Sequence, residues 1–260
     1  MRFKEKNDGT IGKALQVLDF VANAQKPMKL TELLSISQFP KSTLHRYLKA
    51  LVNQKIINYH QKTQTYSTGI RLVELAHNAW KNSSLAPIAE HHVKNLGSEI
   101  LETIHLAQME KGHVIYVDKQ NPLQTVEVFS QAGKIGPGYC TSVGKAILGF
   151  MDEKLLKSSI LFQSFHKYTD NTITNEKDFY SELKRIRSEG VAFDNEEHEK
   201  RIISIAAPIL LKNQTVIASI AVTSTTKKHD LNDLYHFKDR LKQTAKDISK
   251  DVQKWRFPLR

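Results

Sequence analysis

The side chains best suited to chemistry lie between residues 40 and 64. Lys41, Ser42, Thr43, His45, Arg46 and Lys49 share one side of a helical wheel, with Leu44, Tyr47, Leu48, Leu51 and Val52 on the other. The apolar set is the i, i+3, i+4, i+7, i+8 stripe of a helix packed on a core. The polar set mixes short hydroxyls, which reach phosphates and base edges, with Arg and Lys, which read guanine or neutralise phosphate. Pro40 suits the first turn, where no backbone donor is required. Taken alone, the segment is either an amphipathic surface helix with solvated charges or the second half of a helix-turn-helix.

The elements around it decide between the two. Residues 55–68 hold two short β-branched and aromatic segments about a polar turn at His60–Gln64, the pattern of a small hairpin with Lys62 and Gln64 at its tip. Upstream, residues 11–24 form a helix with Leu15, Leu18 and Val21 inward, and Leu30, Leu33 and Leu34 line a second one after Pro27. Three helices followed by a hairpin make a winged helix-turn-helix. The expected partner is a double-stranded DNA operator, with Thr43, His45 and Arg46 nearest the bases. Lys41, Ser42 and Lys49, with Lys62 and Gln64 of the wing, are expected on phosphates. Single-stranded or RNA binding is disfavoured, because no aromatic stacking platform accompanies the basic residues.

Charge follows the same division. Residues 1–81 carry 13 Lys+Arg against 5 Asp+Glu, residues 82–226 carry 15 against 17, and the last 34 residues carry 10 against 5, within a net +11. A basic end joined to a near-neutral middle suggests a polyanion-binding module attached to something that need not bind one. The basic C-terminal stretch reads as a solvated helix face, since Leu241, Ile248 and Val252 recur at helical spacing.

Other constellations weigh little. Asp194-Asn-Glu-Glu-His-Glu199 gathers carboxylates and a histidine, but no second His or Cys cluster supports a metal there, and His91-His92 stands isolated. Gly133–Gly138 lacks the Lys-Ser/Thr ending of a phosphate loop. Neither an enzyme nor a resident metal or cofactor is expected. Cys140 is the single cysteine, which excludes an internal disulfide and fits a reducing compartment. It leaves a second reading open, a redox-responsive DNA-binding regulator switched by that thiol. The N-terminus lacks a signal-peptide run, and the longest uncharged apolar stretch, Ile202–Leu211, is too short to span a bilayer. A soluble cytoplasmic protein with no membrane partner is expected.

Domain boundaries follow from the pattern. Residues 1–68 form the winged helix-turn-helix, residues 69–82 a linker helix, and residues 83–260 a second domain. Ile70, Val73, Ala76 and Trp80 line one side of the linker, either as a dimer contact or against neighbours in the same chain. Beyond Pro87 the pattern predicts a helix over 88–103 and strands over 103–109, 113–119 and 125–129. A short helix over 142–150 follows, then one over 179–189 closed by Gly190, and strands over 191–193, 202–210 and 215–223. Mixed hairpins and helices give an α+β class built on one antiparallel sheet.

Several separate motifs then line up in order: Pro40-Lys-Ser-Thr-Leu-His-Arg-Tyr-Leu, Tyr66-Ser-Thr-Gly, Glu102-Thr-Ile-His-Leu, Tyr139-Cys-Thr-Ser-Val-Gly-Lys-Ala-Ile-Leu, Gly190-Val-Ala-Phe-Asp-Asn-Glu-Glu-His-Glu and Ser204-Ile-Ala-Ala-Pro-Ile. Over almost its whole length the chain resembles the IclR family of bacterial transcription regulators. The resemblance implies a winged-helix DNA reader, a helical linker and a GAF-like effector-binding domain. It also implies a homodimer or dimer of dimers, and a small organic, aromatic or sugar acid as effector. Transferred position by position, the effector pocket falls on Ser142, Val143, Asp194, Ile202, Ser204, Ala221 and Thr223. A loose likeness to regulators of sugar-acid pathways points to repression of a catabolic operon. Two positions depart from the family: Ser204 stands where many members have cysteine, and Arg201 where most have glycine. Arg201 would grip a carboxylate, narrow the pocket mouth, or contact a partner subunit.

Overall fold

The computed structural model describes residues 9–83, 85–121 and 132–255. The chain divides into two compact units between Ala79 and Trp80. The division falls inside a helix, Arg71–Ser83.

In the first unit, helices α1 (Gly9–Ala22), α2 (Leu30–Ile36) and α3 (Lys41–Asn53) pack beside a small antiparallel sheet. Its strands are β1 (Met28–Lys29), β2 (Ile57–His60) and β3 (Thr65–Thr68), in the order β1-β3-β2. Strand β1 is too short to show any alternation, so periodicity did not reveal it. Val17, Val21, Leu33, Leu44, Leu48, Leu51 and Ile57 are buried together with Tyr47 and Tyr66, so the stripe read on α3 is the side that meets the core. Helix α4 runs from Arg71 to Ser83.

The second unit is a six-stranded antiparallel sheet between two helical layers. The strands are β4 (Thr103–Glu110), β5 (His113–Gln120), β6 (Ile135–Pro137), β7 (Ala192–Asn195), β8 (Ile202–Leu210) and β9 (Val216–Thr225), ordered β6-β5-β4-β9-β8-β7. Helices α5 (Ala86–Ile100) and α10 (Lys238–Trp255) cover one face through Val93, Leu96, Leu241, Ile248 and Val252. Helices α6 (Ser142–Phe150) and α8 (Glu176–Glu189) cover the other through Val143, Ala146, Phe179, Leu183 and Ile186. Gly190 closes α8 in the left-handed conformation, φ 75°, as its position after the periodic run implied.

Two helices were not anticipated: α7 (Glu153–Ile160), started by Asp152 accepting from the Leu155 amide at 3.0 Å, and the short α9 (Leu231–Tyr235). The strand expected over 125–129 lies outside the described residues. Among the described residues, no helix is long and apolar enough to cross a membrane.

Candidate nucleic-acid interface and ligand cavity

Helix α3 presents its polar side outward. Lys41, Ser42, His45, Arg46 and Lys49 are exposed and Thr43 is half-buried, while Leu44, Tyr47, Leu48 and Leu51 anchor the opposite side. Pro40 is the N-cap and no side chain caps this end. The first-turn amides are therefore left to other acceptors, and a phosphate oxygen suits them. Lys62 and Gln64 are exposed in the tight turn joining β2 to β3, with Gln64 in the left-handed region at φ 53°. All eight residues singled out for DNA contact lie in the first unit.

The second cluster forms where three strands meet the start of α6. Pairing across β7, β8 and β9 places Asp194 opposite Ser204 and Ser204 opposite Thr223, with Ala206 opposite Ala221 in the adjacent row. Directly paired residues share a sheet face, so one polar row stands above small alanines. Thr141, not Ser142, caps α6: its hydroxyl accepts from the Gly144 amide at 3.3 Å and donates to the Pro137 carbonyl at 2.8 Å. Ser142 is thereby free to bond the Ser204 hydroxyl at 2.6 Å, and His105 Nδ1 lies 3.0 Å from Thr223 Oγ1. Gly144 is required by close packing, because a Cβ there would press on the Gly138 backbone.

These groups enclose a cavity of about 30 Å³ lined by Ser142, Val143, Asp194, Ile202, Ser204 and Thr223 together with His105, Tyr116, Thr141, His198 and Glu199. That volume holds a water or so, and anything larger enters by displacing a side chain. Ala221 is buried beneath the lining. Arg201 does not reach it: the residue is exposed, its backbone left-handed at φ 67°, and the structure does not bring it to the cavity. Tyr116 escaped sequence reading because β5 is remote from the motifs, and His105 because Glu102-Thr-Ile-His-Leu served only as a mark of the family. His198 and Glu199 lay in the acidic segment, where adjacency along the chain gave no sign of which side chains turn inward.

Burial favours the neutral forms of Asp194, His105 and His198. Burial, then the Glu197 carboxylate, pushes Asp194 up to about 8, although Lys145 and the amides of Glu197 and His198 pull the other way. Burial, then Lys119, pushes His105 down to about 3, and burial also lowers His198. Behind the lining, Lys145 Nζ donates to Glu197 Oε1 at 2.5 Å and Glu182 Oε1 at 3.2 Å, and the Glu197 amide donates to Asp194 Oδ1 at 2.8 Å. Burial opposes the charge on Lys145, but Glu197 and Glu182 outweigh it and hold its pKa above the ordinary value. The lysine thus fixes the loop that carries Glu197, whose amide in turn holds Asp194 at the end of β7. A wider cleft of about 550 Å³ lies beyond Glu197, yet Lys145, Arg185, Glu182, Glu189 and Glu197 on its wall already pair with one another. The smaller cavity, at the start of α6, is the one that gathers most of the transferred effector positions.

Cys140 argues against the redox reading. It is fully buried, and burial, followed by the Asp194 and Glu197 carboxylates, raises its thiol pKa well above the ordinary value. A reactive cysteine needs thiolate character and access, and this one has neither.

Comparison with known proteins gives a consistent result. The IclR helix-turn-helix domain matches residues 10–60, and the bacterial transcriptional regulator IclR C-terminal domain matches residues 77–250. The chain is 25% identical over 257 residues to the HTH-type transcriptional regulator KdgR of Escherichia coli (strain K12), covering 98% of each. It superposes on the crystal structure of Thermotoga maritima IclR with a TM-score of 0.77 and 28% identity, over 94% of this chain and 98% of that one. An IclR homolog from Microbacterium hydrocarbonoxydans, complexed with 4-hydroxybenzoate, shares the fold at a TM-score of 0.79 and 18% identity, over 95% and 100% of the two chains. With both family domains matched in order across most of its length, the chain belongs to the IclR family of DNA-binding transcriptional regulators.

Proposed function

We propose that the protein is a repressor of a catabolic operon that binds its operator as a homodimer or dimer of dimers and responds to a small organic or sugar acid. The observation that carries the DNA half of this reading is the exposed polar side of α3, held on a buried apolar stripe and open at its N-terminus. Thr43, His45 and Arg46 face the bases, while Lys41, Ser42, Lys49, Lys62 and Gln64 hold phosphates. The apolar side of α4, where Val73 is 62% exposed, and Ile70 just before it, 75% exposed, support pairing of two copies.

The cavity supports an acid as effector. The start of α6 directs backbone donors and the positive dipole end toward it, and Ser142, Ser204 and Thr223 add hydroxyls. A protonated Asp194 donates to a carboxylate, where an ionised one would repel it. The 4-hydroxybenzoate held by the Microbacterium homolog is a small carboxylate, which favours the same ligand class. Binding shifts the equilibrium between two arrangements of differing operator affinity.

The test is fluorescence anisotropy on duplex DNA from immediately upstream of the protein's own gene, against scrambled duplex at several salt concentrations. Binding about a thousandfold tighter than to the scramble supports the reading, and acids are then screened for release. Equal, steeply salt-dependent affinity for both duplexes would overturn operator recognition at that site.

A further inference from the structure

The histidine pair that stands isolated in the sequence gains a third neighbour in the fold. His91 and His92 are consecutive on α5, with ring centroids 3.7 Å apart. Asp251 of α10 faces both: its Oδ2 lies 2.9 Å from His92 Nε2 and 3.9 Å from His91 Nε2. The first distance is a hydrogen bond and the second is too long for one. The two values bracket the roughly 3.3 Å that separates neighbouring ligands of a tetrahedral ion with bonds of about 2.0–2.1 Å.

One ligand atom from each residue lies within 4.8 Å of the other two. Lys254 engages the other carboxylate oxygen, Oδ1, at 2.8 Å, so Oδ2 is left to the histidines. His92 and Asp251 are 15% and 25% exposed, which steadies them, whereas His91 is 61% exposed and able to swing inward.

We propose that His91, His92 and Asp251 form a binding site for a divalent transition-metal ion that ties α10 to α5. Two imidazoles and a carboxylate select borderline ions such as Zn²⁺, Co²⁺, Ni²⁺ or Cu²⁺ over Mg²⁺ or Ca²⁺. Three protein ligands leave a fourth position for water or an incoming group. The site lies on the sheet face opposite α6 and is independent of the effector reading.

His91 separates a metal site from a simple tether. It makes no hydrogen bond to Asp251 and touches the tether only through its ring contact with His92, so its removal tests metal binding more than the metal-free fold. The full chain, without a polyhistidine tag and stripped with a chelator, is titrated with Co²⁺ by visible absorption and with Zn²⁺ by calorimetry. The expected result is one high-affinity equivalent per chain, with Zn²⁺ displacing the cobalt bands. His91→Ala is expected to weaken Zn²⁺ binding at least tenfold while leaving the urea midpoint of the metal-free protein unchanged. His92→Ala and Asp251→Asn are expected to abolish the cobalt spectrum. Absence of stoichiometric binding, or equal affinity in wild type and the His91→Ala/His92→Ala double variant, overturns the proposal.

Discussion

At the scale of single residues, the two sites fail in different ways. Arg46 is exposed beside a buried stripe, so Arg46→Ala leaves folding intact. Its loss is expected to weaken operator binding by about 1–3 kcal/mol and to relax preference at one base position, read by anisotropy on single-base variants of the duplex. Lys49→Ala is expected to weaken all duplexes alike and to reduce the salt slope by about one. Asp194, a ligand group on the proposed reading, is also a stability group. Its folded value of about 8 stands above the ordinary 3.8, so the folded chain keeps a proton that the unfolded chain gives up. The associated stability is fully present below about pH 4 and is lost as pH rises toward 8. Asp194→Asn removes this dependence, so urea midpoints of variant and wild type should diverge steadily from pH 4 to 8. Parallel curves would show that Asp194 ionises normally.

At the scale of elements, α6 does most to shape the cavity. Its Lys145 is 1% exposed and bound to Glu197 and Glu182, so Lys145→Met strands the buried Glu197 carboxylate while Glu182 keeps Arg185. A loss of about 3–5 kcal/mol is expected in denaturant unfolding, partly recovered by adding Glu197→Gln. None of this was legible in the sequence, where Lys145 is one lysine among many in an otherwise apolar helix. What was legible followed from local period: the stripe of α3, the hairpin after it, α8 with its closing Gly190, and strands β8 and β9. The register that aligns Asp194, Ser204 and Thr223 followed only by resemblance, since strand pairing is a long-range property. His105 and Tyr116 join the lining through the further pairings of β4 with β9 and of β5 with β4, while Arg201, in a left-handed conformation, is not among the lining residues. Helix α7 was overlooked although Asp152-Glu153 ahead of Leu155, Leu156 and Ile160 was a fair start signal.

At the scale of the whole molecule, an exposed apolar row on α4 is the surface least suited to water. Val73→Asp is expected to turn a dimer into monomer and to weaken operator binding at least tenfold, with secondary structure unchanged; sedimentation velocity and circular dichroism provide the check. A dimer that persists in the variant would place the contact elsewhere. The clasp between Ser142 and Ser204 has a consequence for regulation. On the proposed effector reading, and with so little free space, the protein's own hydroxyls occupy the positions that an acid would take. They act as a built-in competitor, and the apparent dissociation constant is the intrinsic one divided by the fraction of molecules already unclasped. The concentration at which a metabolite is sensed then depends on how tightly the empty protein holds itself shut. Evolution can retune that threshold through residues that never touch the ligand.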